Sequence, residues 1–265
     1  AAESYGLLND LWKYNPSTGI WTWISGSNQA GVIGFYGDKG IAASNNVPGA
    51  REEPATWIDG SGNLWVFGGY GPDSQNTTGY LNDLWKYNIA SGNWTWVSGT
   101  NLADSVGVNG VKGVAAPANV PGGRSDANAW TDALGMLWLF GGYAVAASAT
   151  VGDTNELWRF NPSTGQWTWI TGSSTLDVRG IYGTKGVAAA TSAPGSRGGA
   201  HAWVDKQGNA WIMGGFGEDS TGVYGALNDL WKFVPGSNLW IWMSGSNLID
   251  GPANYGVKGW LASPT

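Results

Sequence analysis

Three arginine–carboxylate pairs recur in this chain at one spacing: Arg51 with Asp83, Arg124 with Glu156 and Arg197 with Asp229, each 32 residues apart. A planar guanidinium and a carboxylate at fixed spacing suit a two-pronged ion pair. Once buried, such a pair orients the segments that carry it. These six residues are therefore expected to be structural ion pairs. Other reactive types are scarce. Cysteine is absent, which removes disulfides, thiol nucleophiles and thiolate metal sites. His201 is the single histidine, and one imidazole does not make a transition-metal centre, which wants several nitrogen or sulfur donors. No Gly-x-Ser-x-Gly turn, Walker loop or dinucleotide loop occurs. The 19 acidic residues would permit a carboxylate pair for glycoside hydrolysis, but most sit in turns (Asp59, Asp132, Asp205) or at recurring positions. The expectation is no catalytic residue, no metal and no cofactor.

A second set of candidates lies on loops: Tyr70, Asp73 and Asn76, then Tyr143, then Phe216 and Asp219. Aromatic rings beside Asp and Asn are a common way to hold sugars. Hydrophobic packing of the same rings is the alternative, and both stay open at this point.

Recurrence organises everything else. Asn9-Asp10-Leu11-Trp12 returns at Asn82, Asn155 and Asn228, always 73 residues on. A fixed period means one supersecondary unit stacked on its copies. It also supplies an internal control: residues common to all units build the unit, and residues that differ are candidates for function. Within a unit, Leu84-Trp85-Lys86-Tyr87 and Trp94-Thr95-Trp96-Val97 read as alternating strands around a Gly-containing turn. Ala127 to Thr131 and Leu137-Trp138-Leu139-Phe140 read as two more, the last closed by Gly141-Gly142. Four short antiparallel strands per unit is the anatomy of a propeller blade. Eighteen of the 19 tryptophans lie at five recurring positions, those of Trp12, Trp21, Trp23, Trp57 and Trp65. Rings of about 150–250 Å² each would fill the wedges between blades.

The pattern resembles kelch repeats: Arg51 ahead of the Trp57 strand, Leu64-Trp65-Val66-Phe67-Gly68-Gly69, then Asn82-Asp83-Leu84-Trp85 and Trp94-Thr95. The likeness covers nearly the whole chain, with a unit longer than the usual ≈50 residues, as in the Trp-rich kelch arrays of exported bacterial proteins. The resemblance implies an all-β propeller whose members mostly bind proteins or carbohydrates. It also implies an extracellular or cell-surface location. As one repeat domain over 1–265, the chain divides into a half blade (1–25), three blades (26–97, 98–170 and 171–243) and a connector (244–265). Three and a half blades fall short of the usual 4–8, so either the chain is a piece of a larger propeller or chains complete one another. Self-association through the two ends is the expectation.

Composition narrows the partners. The net charge is −6 with no basic run, which argues against nucleic acid. No apolar stretch approaches the length of a membrane span. The functional expectation is a non-catalytic binding and assembly module of an exported bacterial protein. Its partners would be other copies of itself or neighbouring repeats of a longer parent. A carbohydrate-binding propeller is the alternative, with glycans as its ligand, and a propeller enzyme acting on glycans ranks behind both.

Overall fold

The computed structural model describes residues 6–252. Alternation of large apolar side chains with small or polar ones, stopped by Gly and Asx turns, makes the recurring segments strands. Three four-stranded antiparallel sheets result, each a meander in chain order. The first holds Ala55–Ile58, Leu64–Phe67, Leu84–Asn88 and Asn93–Ser98. The second holds Asn128–Thr131, Leu137–Phe140, Leu157–Asn161 and Gln166–Thr171. The third holds His201–Val204, Ala210–Met213, Leu230–Val234 and Leu239–Ser244. Leu11–Asn15 and Ile20–Ser25 form a two-stranded sheet ahead of them. Each full sheet ends one residue past the expected blade limit, and the portion of the last connector from 253 to 265 lies outside the described residues.

Register is the same in every sheet. Trp57 faces Trp65, Trp130 faces Trp138 and Trp203 faces Trp211. Trp85, Trp158 and Trp231 face Trp96, Trp169 and Trp242. The sheets then pack face to face through rings carried on the second strand of one and the outer strands of the next. Trp65 meets Phe160 with centroids 5.5 Å apart, and Phe67 meets Trp167 at 5.3 Å. One unit later, Trp138 meets Phe233 at 5.5 Å and Phe140 meets Trp240 at 5.1 Å. Because a single twisted sheet leaves both faces bare, this nesting removes each face from water in turn. The three first strands lie innermost and line an axial cleft of about 230 Å³, bordered at equivalent positions by Ala55, Asn128 and His201. The architecture is that of propeller blades, and the described residues contain no helix.

The long connectors solve a different problem. An outer strand offers unpaired backbone groups that invite aggregation. Each connector runs along the outer strand of the blade that follows it: Gly40 N donates to Trp96 O at 2.7 Å, and Gly113 and Gly186 repeat the bond to Trp169 and Trp242 at 2.8 Å. Lys39, Lys112 and Lys185 place their ammonium groups 4.4–4.8 Å from the centroids of the same three indoles. The similarity of these connectors between units therefore comes from their packing on the neighbouring blade.

One expectation needs correcting. The link between second and third strands is a hairpin rather than a loop: Tyr70–Pro72 with Thr78–Tyr80, Tyr143–Val145 with Val151–Asp153, and Phe216–Glu218 with Tyr224–Ala226. In the later two units it pairs further with Arg124–Ser125 and Arg197–Gly198. The Gly-Gly step before each hairpin turns the chain through two consecutive left-handed residues, with φ of 64° and 95° at Gly68 and Gly69. Side-chain-bearing residues resist that conformation.

Candidate functional site

The arginines come first because they hold the site's frame. Arg51 donates from Nη1 to Asp83 Oδ1 at 2.7 Å and from Nη2 to Oδ2 at 2.9 Å, and Arg197 repeats this on Asp229 at 2.6 and 2.8 Å. Arg124 makes one such bond, to Glu156 Oε2 at 2.7 Å. The remaining donors are spent on backbone: Nε on Gly49, Gly122 or Gly195, and Nη1 on Gly68, Gly141 or Gly214. Each guanidinium thus ties the turn after the second strand to the start of the third. Asp83 and Asp229 also accept from Trp85 and Trp231 Nε1 at 2.7 Å, and from the Tyr36 and Tyr182 hydroxyls at 2.7 Å. Burial alone would raise both carboxyls, but the arginine charge and these hydrogen bonds outweigh it and hold them below the usual carboxylate range.

The loop candidates separate into two groups. Asp73 and Asp219 are buried, and their oxygens are used inside the protein. Asp73 accepts from the Gln75, Thr77 and Ala103 amides, and Asp219 from the Thr221, Val223 and Ile249 amides. They fasten each hairpin to the next connector and are withdrawn as ligand contacts. Asn76 is an exposed turn residue with φ 64°, a conformation Asn tolerates better than most residues, and it lies apart from any cleft described here. The aromatic candidates converge instead. Tyr70 packs on Tyr80 at 5.1 Å, and Tyr80 packs on Tyr143 at 5.5 Å. Tyr80, Tyr143, Phe216 and Tyr224 together wall a cleft of about 270 Å³, with Glu53, Asp126 and Asp153 among its polar lining.

Sequence reasoning missed Tyr80, Tyr224, Glu53, Asp126 and Asp153. A signal was available in the internal control. Tyr80, Asp153 and Ala226 share one repeat position, and Glu53, Asp126 and Gly199 share another. Both positions vary between units, and both face the same cleft. The cleft is strongly acidic. Burial, then Glu53, raises the Asp126 carboxyl. Burial, then Asp177 and Asp126, pushes Asp153 up to about 7. Glu218 is pushed up to about 7 by burial and then by Asp153 and Asp177.

No protein-family model matches the chain, and no curated protein matches it. Among solved structures it is similar to that of YjhT, at 18% identity and a TM-score of 0.57, covering 92% of this chain. It spans 61% of that structure's length. Likeness at this identity bears on architecture alone, and together with the four-stranded antiparallel sheets it makes the protein an array of β-propeller blades.

Proposed function

We propose that the protein is a non-catalytic, kelch-type binding and assembly module of an exported bacterial protein, which joins a second copy of itself through two complementary aromatic faces. The observation behind this is a difference in exposure at equivalent positions. Trp21 is 61% exposed, whereas its counterpart Trp167 is 0% exposed because Phe67 of the preceding blade covers it. Tyr14, the counterpart of Phe160, is likewise exposed. At the opposite side Trp203 is 42% and Met213 50% exposed, where Trp57 and Phe67 are buried. Tyr14 and Trp21 occupy the repeat positions of the Phe and Trp that sit on such a second-strand face at the two internal blade junctions, Phe160 with Trp167 and Phe233 with Trp240. A second copy offers that face through Trp211 and Met213. Contacts of this head-to-tail kind either close into rings or extend as filaments.

Light scattering at micromolar concentration tests the reading. The wild-type chain is expected to exceed the monomer mass, and Trp21→Ser together with Tyr14→Ser to return it to monomer. A monomeric wild type ends the proposal.

One observation favours a carbohydrate ligand as the second reading: four aromatic rings and three carboxylates share one open cleft. Flat rings stack on sugar faces, and carboxylates accept hydroxyl protons. On this reading Tyr143→Ala and Phe216→Ala abolish glycan-array binding without lowering the melting temperature, since both side chains are exposed.

A further inference from the structure

Asp153, Asp177 and Glu218 come from three separate segments, and one carboxylate oxygen of each lies within 4.8 Å of the other two. Asp177 belongs to the common frame. Its Oδ1 accepts the Asp153 amide at 2.9 Å, as Asp104 Oδ1 accepts the Tyr80 amide at 2.9 Å one unit earlier. The other two acids are additions. Position 153 corresponds to Tyr80 and Ala226, and position 218 to Pro72 and Val145. An apolar position has thus become a glutamate, and its partner an aspartate, at one blade junction only.

A chain does not bury unpaired carboxylates cheaply. Asp153 and Glu218 are each 5% exposed, yet neither meets an arginine or lysine among the described residues, where all three ion pairs lie elsewhere. Glu218 Oε2 is fully enclosed and has no hydrogen-bond partner. It belongs to a side chain aimed at two further carboxylates, so a missing positive charge is the simplest way to satisfy it.

We propose that Asp153, Asp177 and Glu218 bind a hard divalent cation of the Ca²⁺ class between the second and third blades. All the donors are carboxylate oxygens, which suit Ca²⁺, Mg²⁺ or Mn²⁺ and disfavour softer metals. Oxygens bound to Ca²⁺ sit at about 2.3–2.6 Å from the ion, so two on opposite sides are separated by about 5 Å, whereas Mg²⁺ demands about 2.0–2.1 Å and near-ideal octahedral order. One oxygen of each carboxylate lies within 4.8 Å of the others, which fits inside a Ca²⁺ shell, and ligands carried on three independent segments suit the irregular geometry that Ca²⁺ tolerates. Asp177 is exposed and gives the ion its entry from solvent. The site would lock a hairpin of one blade, the connector that follows it and the hairpin of the next. It stands independently of the assembly reading and shares Asp153 with the aromatic cleft.

The repeat supplies the variants. Glu218→Val restores the residue found at Val145, which the same fold accommodates, and Glu218→Gln keeps the shape while removing the charge. Calorimetric titration of the full chain with CaCl₂ and MgCl₂ would be paired with melting curves in EDTA and in CaCl₂, and circular dichroism would confirm that the variants fold. The wild type is expected to bind one Ca²⁺ saturably, more tightly than Mg²⁺, and to melt higher in CaCl₂ than in EDTA. Both variants should lose at least tenfold in affinity and melt alike in the two media. In EDTA they should melt above the wild type, because the like charges are relieved. The proposal is overturned if the wild type shows neither heat nor a melting shift up to about 10 mM CaCl₂, beyond the weakest Ca²⁺ modules. It is equally overturned if Mg²⁺ binds as tightly or the variants bind Ca²⁺ as the wild type does.

Discussion

Asn109 donates from Nδ2 to Glu156 Oε1 at the place where the neighbouring units bring a tyrosine hydroxyl onto an aspartate, Tyr36 onto Asp83 and Tyr182 onto Asp229. The shorter connector side chain accompanies the longer acid. Because the two residues share one hydrogen bond, their effects should not add. Glu156→Asp alone pulls the acceptor away from Asn109, and Asn109→Tyr alone crowds Glu156. Each is expected to destabilise by about 1–3 kcal/mol through a buried polar group left unpaired or misplaced. The double variant should recover most of the loss. A double-mutant cycle by denaturant unfolding measures the coupling, and strict additivity would refute the shared bond.

The arginine pairs set an acid limit. Asp229 is held below its unfolded value, about 3.9. A carboxylate depressed in the fold contributes stability that is present above the unfolded pKa and lost as pH falls through the folded one. Wild-type stability should therefore drop steeply below about pH 4. Asp229→Asn removes part of that drop and, at neutral pH, strands Arg197 without its partner at a cost of about 3–5 kcal/mol. Melting temperature against pH for both chains is the measurement, and parallel acid limbs would contradict it.

Equivalent tryptophans should respond oppositely. Trp167→Ala empties a wedge where the ring touches Phe67, Trp158 and Phe160, with an expected loss of about 3–5 kcal/mol. Trp21→Ala removes an exposed ring and should cost the isolated chain under about 0.5 kcal/mol, as for ordinary surface changes. Unfolding of the dilute monomer compares the two, and equal losses would show that the first sheet is packed like the others.

Gly141 has φ 70°, and a Cβ there would lie 2.4 Å from the Arg197 carbonyl oxygen. Gly141→Ala is expected to destabilise by more than the ~1 kcal/mol that a compatible Gly→Ala change would gain. Gly165, at φ 68° with open space around it, supplies the control with backbone strain alone. Similar losses at the two glycines would show that the approach to Arg197 carries no weight.

Much of this was legible before any fold. The Trp57, Trp65, Trp85 and Trp94 strands follow from alternation and turn residues, and the pairing of first with second and third with fourth follows from their short turns. The 32-residue Arg–Asp spacing marked groups that needed each other, since a buried guanidinium has few other ways to be satisfied. The hairpins at Tyr70, Tyr143 and Phe216 were harder. Their strands are three residues long and five of the six include glycine, so alternation has little to register on. Asp73 and Asp219 looked like ligand groups because exposed loops and self-bonded turns use the same residue types.

The unit is encoded locally: its length, its strands, its tryptophan positions and its ion pairs are all consequences of short-range chemistry repeated at a constant interval. Which varied residues share a space emerges from the packed blades alone. Tyr80, Asp126, Asp153 and Phe216 are far apart in the chain and meet because three blades turn their hairpins toward one cleft. Glu218 meets Asp153 and Asp177 because one connector passes between two blades. Proximity of that kind comes from the packing angle between sheets, which depends on how bulky rings fill a wedge and leaves no period in the chain to read.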